Sequence, residues 1–198
     1  MPKSRPKAPA IEPEPDLARL TSSEARDLLA AHMSIDVTEG ALEAFHCRFM
    51  FMRPEVLVNI QKQLEGTVGA STKGFLYLAG ERSGKDALHT IEGLVPTSQS
   101  VEPEFVKRLT DAGALFGWGR YEVTVMEPDG SQIILALTNS PIATSYGPSK
   151  KPVCHLLAGW LAGIVNRIFK KEFLCEETAC VAQGRPRCEF RVRPMPFA

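Results

Sequence analysis

Five cysteines, at positions 47, 154, 175, 180 and 188, carry most of the chemistry open to this sequence, and four of them fall in its last quarter. Thiolates are favoured donors for tetrahedral zinc, and a short connection such as Cys180-x7-Cys188 brings two together at low entropic cost. Cys154 adds a third from the start of a helix. For the fourth, Cys175 and Glu177 project from the same side of a strand, so spacing permits four cysteines or three cysteines and a glutamate. The same residues also suit a plain apolar core, where free cysteine is common.

The elements that must position these donors follow from periodicity. Pro152 opens a helix to about Lys170, with Leu157, Trp160, Leu161, Ile164 and Ile168 on a broad apolar face and Gly159 and Gly163 allowing close packing. Two strands follow, 173–179 and 188–193, around a turn with Gly184 and Pro186. Upstream, strands 120–127 and 132–138 flank Pro128-Asp129-Gly130, a connection that favours an antiparallel hairpin. A Ser-, Pro- and Lys-containing loop joins this hairpin to the 152–170 helix.

Earlier still, Thr21 and Glu24 form a capping-box pattern opening a helix to about His32, and 44–52 alternates as a strand. Helices are expected over 54–66, ending at Gly66–Gly69, over 71–92, with Gly80 and Gly84 one turn apart, and over 103–113. The run Gly80–Lys85, GERSGK, is not a phosphate loop, because Ala79 and Asp86 stand where Gly and Ser or Thr are needed. Helices, hairpin, helix and hairpin together imply an α+β fold, an antiparallel sheet covered by helices. Residues 1–20, rich in proline and charge, are expected to be a disordered tail ahead of one domain over 21–198.

Composition narrows the function. Lys plus Arg and Asp plus Glu both number 23, so no overall charge draws the chain to nucleic acid or an anionic membrane. No apolar run reaches signal-peptide or membrane-spanning length, and an odd cysteine count suits a reducing, cytoplasmic setting better than a disulfide framework.

Pro152-Val153-Cys154-His155, Gly159-x-x-Ala162-Gly163, Glu177-Thr178-x-Cys180-x-Ala182-x-Gly184 and Cys188-x-Phe190 resemble the 4-vinyl-reductase (4VR) domain, as does Thr138-Asn139-Ser140 upstream. The resemblance covers roughly residues 35–195. It implies a fold similar to TRAPP subunits, a homodimer, and a bacterial context in which related domains sense aromatic compounds. It also implies structural zinc held by Cys154, Glu177, Cys180 and Cys188, within a C-terminal module over 152–193. Four protein ligands leave no open position for a catalytic water, so such an ion would stabilise rather than react.

The function expected is therefore a zinc-stabilised sensor or binding domain for a small, largely apolar molecule. Tyr77, Phe105, Phe116, Trp118, Leu157, Trp160 and Leu161 are candidate lining residues, though aromatics on apolar faces are more often core. Cys175 departs from the aromatic sensors, which would offer a polar aromatic there, and with no output domain after residue 198 a signal would pass to a separate protein partner. A dimerising interaction or scaffold module without ligand is the alternative. An accessory role in tetrapyrrole vinyl reduction is a third reading, against which stands the absence of a Gly-x-Gly-x-x-Gly turn and of spare cysteines for an iron–sulfur cluster.

Overall fold

The computed structural model describes residues 20–91, 111–127 and 130–196, with the side chains of 88–91 excepted. The expected tail, most of the 103–113 helix with Phe105, and Pro128-Asp129 lie outside the described residues.

The chain opens with α1 (Ser22–His32), whose N-cap Thr21 accepts from the Glu24 N–H while the Glu24 carboxylate accepts from the Thr21 N–H, the reciprocal capping box read from sequence. Strands β1 (Met33–Asp36), β2 (Ala41–Ala44) and β3 (Cys47–Phe49) then form a small antiparallel sheet. The single strand expected over 44–52 is broken, because Phe45 and His46 both take positive φ and turn the chain between β2 and β3. Phe116 joins this unit to the rest, stacking on Phe49 with centroids 5.5 Å apart and meeting Phe45 edge-on at 5.7 Å.

Helix α2 (Pro54–Val68) starts with proline at its first position, and a short 3-10 turn beginning at Gly69, φ +57°, leads into α3 (Thr72–Ile91). The GERSGK run lies inside α3, as helix rather than phosphate loop. Strands β4 (Arg120–Met126) and β5 (Ile133–Thr138) pair as the expected antiparallel hairpin. The segment expected to be loop then contains α4 (Pro141–Tyr146), capped by Ser140. Helix α5 begins at His155, not Pro152, because Cys154 is its N-cap, and runs to Phe169. Strands β6 (Phe173–Ala179) and β7 (Cys188–Pro194) close the chain.

The second sheet has the order β4-β5-β7-β6, antiparallel throughout. Inward residues of β5 and β7, among them Ile133, Leu135, Leu137, Phe190 and Val192, pack with Leu157, Leu161 and Val165 of α5 into one core. Helices α3 and α5 approach until their backbones touch. A Cβ at Gly159 would strike the Tyr77 carbonyl, and one at Gly80 the Leu156 carbonyl. β6 is an edge strand, and two of its N–H groups are taken up by side chains: Phe173 N donates to Asn166 Oδ1 at 2.6 Å and Cys175 N to the Tyr77 hydroxyl at 3.0 Å. Those bonds blunt an edge that would otherwise template pairing.

Candidate metal centre

Four donors converge where the start of α5 meets the far end of the second sheet. Cys154 is held there as the N-cap of α5, Glu177 near the end of β6, Cys180 just beyond it, and Cys188 as the first residue of β7. Between Cys180 and Cys188 the 3-10 turn Val181–Gln183 and Gly184, φ +79°, reverse the chain, and Cys180 O accepts from Gln183 N and Arg185 N. All three thiols are 0% exposed, and Glu177 is 8% exposed.

One ligand atom from each of the four lies within 4.8 Å of the others. Cys154 Sγ and Cys188 Sγ are 3.9 Å apart, and Cys188 Sγ and Cys180 Sγ 3.8 Å. Those separations are far too long for a disulfide. They match the edge of a tetrahedron of sulfurs about an ion with bonds of about 2.3 Å, which is roughly 3.8 Å. Glu177 Oε2 accepts the Cys154 N–H at 2.8 Å, while its Oε1 is buried with no hydrogen-bond partner. An orphaned carboxylate oxygen beside three buried sulfurs is what a cation would satisfy, so the residues fit a metal ion.

The protonation chemistry points the same way. Burial, reinforced by contact with Cys180, pushes the Glu177 carboxyl up to about 8. Cys180 is driven far below the ordinary thiol range because the Cys154 and Cys188 thiols donate to it, and the same contacts push Cys154 up. Four acids packed into one dry volume hold protons that a divalent ion would replace.

Between the two ligand sets left open by spacing, the geometry selects Glu177. Cys175 is buried on the same face of β6 but belongs to the core beneath α5, and burial raises its thiol pKa. Of the candidate lining residues, Leu157 and Leu161 lie in the buried core, with Tyr77, Trp118 and Trp160 packed against it. Phe116 is drawn instead into the aromatic contact with β2 and β3. Sequence reasoning missed Tyr121, which β4 turns inward toward Trp160 with centroids 6.4 Å apart, and whose buried hydroxyl has no hydrogen-bond partner. The alternation of β4 was the available signal, since Tyr121, Val123 and Val125 share a face. It also missed Ser140, whose hydroxyl lies 3.4 Å from Cys154 Sγ.

An antiparallel four-stranded sheet covered by packed helices, with a buried Cys3Glu cluster at one end, defines an α+β fold of the vinyl-4-reductase and TRAPP-subunit kind. Residues 133–194, from β5 to β7, match the V-4-R (vinyl-4-reductase) domain family, and that span contains all four clustered residues. The chain is 29% identical over 123 residues to the uncharacterized protein MJ1460 of Methanocaldococcus jannaschii, an alignment over 60% of this chain and 64% of that protein. The chain thus spans less than two thirds of this relative.

Among solved structures, the phenol-responsive sensory domain of the transcription activator PoxR superposes with a TM-score of 0.68 at 19% identity, over 88% of this chain and 90% of that one. A vinyl-4-reductase family protein from M. jannaschii gives 0.50 at 23% identity, over 75% and 84%. A trafficking protein particle complex subunit 3 from Naegleria fowleri, covalently bound to palmitic acid, gives 0.57 at 16% identity, over 72% and 95%. At these identities the likeness establishes the fold. No helix among the described residues is long and apolar enough to cross a membrane.

Proposed function

We propose that this protein is a zinc-stabilised binding domain for a small, largely apolar molecule, which passes the bound state to a separate partner. The observation that carries the reading is the Tyr121 hydroxyl. It belongs to a residue 4% exposed, has no hydrogen-bond partner, and faces the layer between the second sheet and α5. A buried hydroxyl left unpaired costs about 1–3 kcal/mol, and an acceptor on a bound molecule would recover it. Burial pushes its pKa up, so it stays a donor throughout the neutral range. The fold shared with a phenol-responsive domain supports the same conclusion.

Phenol and palmitate, the molecules held by two proteins of this fold, are the first probes. A matching ligand at a hundredfold its Kd should stabilise the native state by about 2.7 kcal/mol, read as a raised Tm, and Tyr121→Phe should shrink that rise. A wide panel of apolar alcohols, phenols and acids producing no shift would remove the ligand reading.

Zinc is the ion the donor set suits best, three thiolates and a carboxylate leaving a closed tetrahedral shell. Its uptake must expel protons. Glu177 is protonated below about 8, so affinity should rise with pH toward that value, by about tenfold per unit for each proton displaced. Competition with a chromophoric chelator between about pH 6 and 8 measures this, and an affinity indifferent to pH would exclude titrating ligands.

A second reading, a dimerising module, is favoured by the apolar surface around the first sheet. Val37 is 87% and Phe51 84% exposed, and α1 buries no residue. A homodimer that forms through this surface is compatible with the binding role, and without any ligand response it would stand alone.

A further inference from the structure

Three thiolates and one carboxylate around a divalent ion leave two net negative charges, at a place where the ligands are 0–8% exposed. Charge buried at that depth is costly unless hydrogen-bond donors surround it. Two backbone donors are in place: Cys154 N to Glu177 Oε2 at 2.8 Å, and Val181 N to Cys188 Sγ at 3.4 Å. A side-chain donor is also in place. Ser140, 0% exposed, sets its Oγ 3.4 Å from Cys154 Sγ.

We infer that Ser140 is a positioning residue for the metal centre, its hydroxyl proton committed to the Cys154 thiolate while its oxygen caps α4. The inference rests on the metal reading above and adds a residue to it. Ser140 Oγ accepts the Ala143 N–H at 3.2 Å, which uses a lone pair and leaves the single hydroxyl proton free. While Cys154 is a thiol, either atom of the Ser140–Cys154 pair can donate. A metal-bound sulfur has no proton to give, so the direction is then fixed from serine to sulfur. The two roles of Ser140 therefore reinforce each other, since the cap orients the oxygen that serves the thiolate.

The consequence reaches beyond the cluster. Helix α4, whose first turn Ser140 holds, is tied to α2 by the Tyr146 hydroxyl on Glu65 at 2.6 Å and by Lys62 Nζ on Tyr146 O at 3.0 Å. Through Ser140, the metal centre is coupled to the placement of α4 against α2.

Titration of the metal-free full chain with cobalt(II) tests this, because thiolate-to-cobalt charge-transfer bands report hydrogen bonding at sulfur. In Ser140→Ala those bands should move to longer wavelength, since a sulfur lone pair without its donor lies higher in energy, and affinity should fall about tenfold or more. Ser140→Gly should do the same while costing the α4 cap only a few tenths of a kcal/mol, which keeps the test open should the alanine variant fail to fold. Ser140→Thr, which keeps the hydroxyl, should restore both readouts. Alanine and glycine variants with the wild-type band and affinity would overturn the inference. A wild-type chain that takes up no cobalt would sink the metal reading itself, and this inference with it, before any variant is compared.

Discussion

Cys180→Ala should abolish stoichiometric zinc and lower stability by several kcal/mol. The sulfur removed is fully buried and touches Cys188 Sγ at 3.8 Å, so its loss opens the shell of donors and leaves a cavity that neighbouring groups cannot fill. Three consequences then add: lost binding energy, which in a site closed by protein ligands is folding energy; the orphaned Glu177 Oε1; and two thiols without their ion. The cluster joins the N-cap of α5 to β6 and β7, so its failure frees the helix that fills the core from the strands beneath it.

Elemental analysis and thermal melting of the wild type and this variant measure both effects. Cys175→Ala is the control, being equally buried but outside the quartet. It should lose some packing energy while keeping about one zinc per chain. A metal-free wild type as stable as the metal-loaded protein would return the cysteines to an ordinary core role.

Much of this site was legible because its donors are chemically distinctive and close in sequence. Glu177, Cys180 and Cys188 sit on one hairpin, so local geometry limits where they can point. Ser140 was not legible as part of the site, because its contact with Cys154 spans 14 residues and two elements, and its type and place before Pro141 read as turn chemistry. Helix α4 was hidden for a related reason. Pro-Ile-Ala-Thr-Ser-Tyr is one short turn and a half with β-branched and hydroxyl residues, too brief for a helical period to register. The break at Phe45–His46 defeats pattern reading outright, since neither residue is one that ordinarily signals positive φ as Gly or Asn does, and what fixes the turn is tertiary: Phe45 stacks on His32 at 5.0 Å and meets Phe116 at 5.7 Å. The glycines at 80, 84, 159 and 163 were visible as sites of close approach, but that the two pairs face each other is a property of the fold.

That facing pair supports the second large prediction: Gly163→Ala should destabilise by about 3 kcal/mol or more, although alanine is the better helix former by about 1 kcal/mol. The added methyl would run into the Glu81 carbonyl on α3, with the Glu81 carbonyl carbon and Lys85 N each 2.9 Å from it. Backbone cannot rotate away as a side chain can, so α3 and α5 must separate along a contact that Gly80, Gly84 and Gly159 also require to be tight. Separation would stretch the Asn166–Glu81 bond of 3.1 Å and draw Tyr77 from the edge of β6. Gly74→Ala, on the same α3 and with nothing within 4 Å of its added Cβ, isolates intrinsic propensity from packing and should instead stabilise by about 0.5–1 kcal/mol. Urea denaturation of the two variants decides between them. Opposite signs would establish that backbone contact between α3 and α5 holds this layer together, and a Gly163→Ala protein as stable as wild type would show that the helices can part without cost.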